Sequence, residues 1–149
     1  MPDSIDTYIT RAIQWAIDRL DSADYPFKCL AFVEDAYEIP NGIVLDGYDS
    51  AGEAAEGYGA AENLGRPPRG ALVFYECHGT IDGLRRNWGH VGIALGDGRI
   101  IHAWGTVRTD DYLKVEDLAP ALGWTVPLYV GWSPAEAIIN HQKESISHS

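Results

Sequence analysis

Tyr25-Pro26-Phe27-Lys28-Cys29-Leu30-Ala31-Phe32-Val33-Glu34-Asp35-Ala36-Tyr37 is the stretch on which the fold turns. Pro26 marks a turn, and no glycine or proline interrupts the run from Lys28 to Ile39. Leu30, Val33, Ala36 and Tyr37 recur at the spacing of one helical face. Cys29 is thereby expected in the first turn of a buried helix. Free N–H groups and the positive end of the helix dipole favour a thiolate there. The same N–H groups can later face an oxyanion. A cysteine so placed needs a histidine as base.

Upstream, Ile5, Ile9, Ala12, Ile13, Ala16, Ile17 and Leu20 mark one face of a first helix, with Asp3 or Ser4 as N-cap. Downstream, Pro40-Asn41-Gly42 ends the cysteine helix, and an alanine-rich segment from about Ser50 reads as a weak helix. The period then changes. Ala71 to Tyr75 is a short apolar run, the mark of a core strand, and Glu76 to Asn87 is polar and reads as a loop. His90 to Leu95, the turn Gly96-Asp97-Gly98, and Arg99 to Trp104 form a hairpin. Thr106 to Arg108 extends the sheet. Asp111 to Leu118 reads as a helical turn and Leu128 to Trp132 as a last strand. Ser133-Pro134 caps a short helix over Ala135 to Ile139. The fold class is α+β, with N-terminal helices packed on a C-terminal antiparallel sheet. Residues 1–139 form one domain, and Asn140 to Ser149 is a loose polar tail.

His90 opens one strand of the hairpin and His102 lies near the end of the return strand. The turn places them roughly opposite one another, and their even spacing puts both on one face. One imidazole can then orient the other. With Cys29 this supplies a thiol, a base and an orienting group.

A chain of 149 residues is long enough for one core. Its net charge of -11 argues against a nucleic-acid partner and against adhesion to anionic membranes. Two cysteines are too few for a disulfide framework, and Cys77, which belongs to no motif, reads as structural. No apolar run is long enough to span a bilayer, so no membrane insertion is expected. The N-terminus has no basic segment followed by an apolar one, so no signal peptide is visible. His78, His141 and His148 lack ligand spacing, and neither a metal nor a cofactor is expected.

Four ordered motifs resemble the NlpC-type cysteine peptidases, papain-like bacterial cell-wall endopeptidases. They are Cys29 with Phe32-Val33, Arg69 to Tyr75, His90-Val91-Gly92-Ile93, and Gly96 to Ala103. The resemblance runs from about Tyr8 to Trp132. It implies a papain-like fold, with Cys29 as nucleophile, His90 as base and His102 as orienting residue. It also implies that Tyr25 contacts the oxyanion or substrate. Trp88 and Trp104 flank the histidines and are candidate substrate contacts. The family usually has Asp-Cys-Ser at the nucleophile, where this chain has Lys28-Cys29-Leu30.

The implied activity is cleavage of an amide bond in a peptidoglycan stem peptide, of the D-glutamyl–diamino acid type, through a thioester. Two alternatives stay open. One is an acyltransferase or deamidase acting on a partner protein, as an effector toxin would. The other is an inactive papain-like binding module. An inhibitor or a delivery partner is compatible with each. Arg85, Arg86 and Arg108 are read as solvated charges, any of which could hold a substrate carboxylate.

Overall fold

A computed structural model describes residues 3–143. Helix α1, Ile5–Ile17, begins where the Ser4 side chain accepts a hydrogen bond from the Thr7 N–H at 3.2 Å. It buries Ile9, Ala12, Ile13, Trp15 and Ala16. Ile17 and Leu20, expected on that face, stay 39% and 42% exposed. The helix ends before its apolar stripe does, and Trp15 is buried instead, under the Arg19 guanidinium 3.6 Å from its ring centroid.

Helix α2, Cys29–Glu38, buries Leu30, Phe32, Val33, Ala36 and Tyr37. Its far end is tied to α1 by Asn41, whose Nδ2 donates to the carbonyls of Tyr37 and Tyr8 at 3.0 and 3.1 Å. Helix α3, Ala51–Gly57, is capped by Ser50, which accepts from the Glu53 N–H at 3.1 Å.

The main sheet is built from β1 (Leu72–Glu76), β4 (His90–Ala94), β5 (Arg99–Trp104), β6 (Thr106–Asp111) and β7 (Leu128–Ser133). Its order is β6-β5-β4-β1-β7, every neighbour antiparallel. Helices lead and the sheet follows, as the α+β reading expects. One sheet face, with Leu72, Phe74, Val91, Ile93, Ile101, Ala103 and Val107, packs on the helices in the larger core. The other face carries Ala71, Val73, Tyr75, Ala94 and Ile100, and closes over Val115, Tyr112 and Tyr129. Strand alternation places His90 and His102 on this second face.

Several local readings change. Glu76 to Asn87 is not a loop: β2 (His78–Ile81) and β3 (Leu84–Asn87) form a two-stranded hairpin. Asp82 and Gly83 turn it with φ of 51° and 79°, the left-handed pair that a tight hairpin needs. Strand β6 runs to Asp111, three residues beyond Arg108. Only a short 3-10 turn, Lys114–Asp117, follows it. Ser133 does not cap helix α4, Ala135–Ile139: its hydroxyl donates to the Tyr58 carbonyl at 3.2 Å, and Pro134 holds the N-cap position. In the expected tail, Gln142 bridges to Leu45 and the Lys143 N–H donates to Val44. The rest of that tail, with His148, lies outside the described residues. No helix among the described residues is long and apolar enough to cross a membrane.

Gly92 sits directly across from His102. A Cβ at Gly92 would lie 2.9 Å from the His102 Cβ and 2.7 Å from the Ile100 Cδ1. Gly92→Ala should therefore destabilise the fold by about 1–3 kcal/mol through overpacking. Urea denaturation of the two proteins side by side checks this, and an unchanged midpoint would rule it out.

Candidate active site

The chain reaches α2 through Phe27, a non-glycine residue with φ of 55°. Lys28 occupies the N-cap position and makes no side-chain capping bond. Helices α1 and α3 are both serine-capped, whereas α2 begins bare. Its first N–H groups, Cys29 among them, have no partner within the helix.

Cys29 opens into a cleft of about 590 Å³. Phe27, Lys28, Trp88, His90, Trp104 and Trp124 share its walls, with Glu34 and Asp49 also on the lining. Cys29 and His90, from an N-terminal helix and a C-terminal strand, are thus brought to one cavity. His90 is 3% exposed and His102 is fully buried. His90 Nε2 lies 2.7 Å from His102 Nδ1. With Nε2 so engaged, Nδ1 is the ring nitrogen of His90 left for the cleft.

The two histidines are not directly opposite one another. His102 pairs with Gly92, so His90 lies two residues away on the same face. The diagonal separation gives the rings room to meet edge to face, with centroids 5.0 Å apart at 70°. His102 in turn places Nε2 2.7 Å from Asp110 Oδ2. Arg108 grips the same carboxylate, with Nε 2.8 Å from Oδ2 and a terminal nitrogen 3.1 Å from Oδ1.

Tyr25 does not line the cleft. Asp35, further along α2, captures its hydroxyl at 2.7 Å, and its ring stands edge-on to Phe32 at 5.4 Å. Burial and that carboxylate push its pKa up to about 12. Trp88 does line the cleft, fixed by its Nε1–H, which donates to the Gly79 carbonyl at 3.1 Å. Trp104 lies edge-on to His90 with centroids 5.1 Å apart. The three arginines are committed to the protein itself: Arg85 to the Gly123 carbonyl, Arg86 to Glu53 and Arg108 to Asp110. Cys77 also lines the cleft, and its thiol donates to the Thr125 carbonyl at 3.3 Å.

Sequence reasoning passed over Asp110, Glu34, Asp49, Phe27 and Trp124. Asp110 carried a usable signal, since it lies two residues from Arg108 and so shares its face if β6 continues.

Electrostatics alter the expectation of a resting thiolate. N–H groups of Val91, Leu30 and Cys29 itself favour the anion, but burial outweighs them and pushes the Cys29 thiol up to about 11. Burial, reinforced by His102, holds His90 well below the ordinary histidine range. His102 is lowered by burial against the opposing pull of Asp110. The shifts of Cys29 and His90 both favour the neutral thiol and the neutral imidazole in the free site. Alkylation of Cys29 by iodoacetamide, followed by peptide mass separately from Cys77, should be slow at neutral pH and climb through the alkaline range. A reactivity plateau reaching into acid would instead reveal a thiolate–imidazolium pair.

Glu34 is pushed from 4.5 up to about 7 by burial and by the neighbouring Glu38. Its folded-state pKa lies above the unfolded one, so the native state holds the extra proton. Its contribution to stability thus falls as pH rises from about 4.5 to about 7. Glu34→Gln should flatten that slope and exceed wild type in stability above pH 7. Urea midpoints measured across the window, parallel for the two proteins, would show that Glu34 is not the source.

No curated protein matches the chain. The NlpC/P60 family matches it over residues 15–117, a span from the end of α1 through the 3-10 turn after β6. The chain belongs to the NlpC/P60 family, whose members are generally cysteine peptidases of the cell-wall type.

Proposed function

We propose that this protein is a cysteine hydrolase that cleaves an amide bond in peptidoglycan stem peptides through a thioester. One observation carries the reading: Cys29, at the uncapped start of α2, lines the same cleft as His90, whose ring is hydrogen-bonded to His102. Family membership supports the reaction class. The motif resemblance suggests the bond between D-glutamate and a diamino acid.

His90 takes the Cys29 proton as sulfur attacks the substrate carbonyl. The first N–H groups of α2 stabilise the charge that develops on the carbonyl oxygen. His90 then passes its proton to the departing amine, leaving an acyl group on Cys29. Water, activated by His90, releases the acid. The attack starts from a neutral pair, so proton removal and carbon–sulfur bond formation are coupled. The cleft volume suits a few residues of peptide. Its largely apolar, aromatic walls lower the local dielectric and so strengthen the dipoles aimed at the reacting atoms. On this reading residues 1–139 act as one hydrolase domain.

Purified cell-wall sacculi incubated with the protein should release fragments bearing new amine termini, detected by mass spectrometry. Cys29→Ala should abolish release, and His90→Ala should lower it by roughly 10²–10⁴-fold. Sacculi left intact by the wild-type protein would overturn the reading.

A further inference from the structure

The His90–His102 pair does not end at His102. Strand β6 lies beside β5 with His102 opposite Arg108 and Ile100 opposite Asp110. Arg108 and Asp110 therefore share the face of the two histidines, and Asp110 reaches His102 diagonally. Its side chain is only 16% exposed, and His102 is not exposed at all. Both partners of this hydrogen bond are thus shielded, and Arg108 holds the carboxylate from its outer side.

Proton accounting along this chain has one solution. A carboxylate accepts only, so His102 must present Nε2–H to Asp110. A neutral His102 then has a bare Nδ1, which can only accept. His90 must donate Nε2–H to it. A neutral His90 is left with a bare Nδ1, the nitrogen that remains for the cleft. Without a fixed acceptor at the far end, the reverse order of protons would serve the two rings equally well. In that order His90 Nδ1 carries a proton and cannot receive one from Cys29.

We propose that Asp110, clamped by Arg108, is a positioning residue that fixes the proton order through His102 and keeps His90 Nδ1 free to act as base. Asp110 touches neither thiol nor substrate. When His90 takes up the thiol proton, the same carboxylate faces the positive charge through His102 and stabilises it. The kinetic consequence rests on the hydrolase reading above, whereas the proton order does not.

Long-range ¹⁵N–¹H NMR of the histidine rings, on the full chain labelled with ¹⁵N-histidine, tests the order directly. Wild type above the histidine titration should show Nε2 protonated and Nδ1 bare for both His90 and His102. Asp110→Asn, nearly isosteric, can offer its NH₂ to His102 and should populate the reversed order, seen as a protonated His90 Nδ1. With a peptide substrate, kcat should fall by about tenfold or more, toward the roughly 10⁴-fold known for a misplaced tautomer in a catalytic triad, with KM little changed. A protonated His90 Nδ1 in the wild type would overturn the proposal, whether or not any variant folds. An Asp110→Asn protein that keeps the wild-type ring pattern would overturn it as well. If wild type shows the expected rings but cleaves no stem peptide, the function reading fails and the proton order stands.

Discussion

Pairing of β4 with β5 sets Gly92 against His102 and leaves His90 one diagonal step away. The contact between the two imidazoles follows from that register. A slip of one residue would turn the shifted strand's histidine to the helix-facing side, away from the other imidazole. The hairpin turn resists such a slip, since Gly96 and Gly98 both hold left-handed backbone and the Leu95 N–H donates to Arg99. The absent side chain at Gly92 is what lets the His102 ring pass close to β4. A single sheet interaction thus decides both where the imidazoles lie and which neighbours they can reach.

The same economy governs the cysteine. Helix α2 forgoes a capping side chain, at a cost of about 1 kcal/mol by comparison with capped helices. The N–H groups of the helix end that lines the cleft are left without a capping side chain in consequence. Those donors do not by themselves favour a thiolate, because the half-buried cysteine sits among aromatic and apolar walls that desolvate it. Burial raises the thiol and lowers the imidazole, and both shifts act against charge separation. Desolvation that suppresses the resting ion pair also strengthens the dipoles awaiting the oxyanion.

Much of this was legible in the sequence, where periodicity reported burial. Leu30, Val33, Ala36 and Tyr37 gave α2 and its inner face, and a cysteine just before them gave the helix start. Even spacing of His90 and His102 across a glycine turn gave their shared face. The misses arose where structure rests on backbone bonds instead of apolar burial. Strands β2 and β3 are mostly polar, and Asp82-Gly83 was the one signal that a hairpin lay there. In β6 only Val107 is buried, so nothing apolar marked the strand as far as Asp110. Tyr25 was assigned by motif position, and no sequence pattern revealed that Asp35 would claim its hydroxyl. Trp124 lies far along the chain, and it meets the cleft because Gly79 leaves a space that its indole fills.

A row of four polar groups on a buried sheet face would ordinarily be a liability, since each unpaired member costs about 1–3 kcal/mol. Here each has a partner for the atom it turns inward: His90 has His102, His102 has Asp110, and Asp110 has Arg108. Arg108 ends the row at the surface, where water completes its solvation. The series therefore runs from a buried neutral imidazole to a solvated cation, and its one full negative charge sits next to that cation. An apolar replacement at either end would strand the next group in low dielectric. That dependence ties the stability of the second sheet face to the protonation state of the ring facing Cys29.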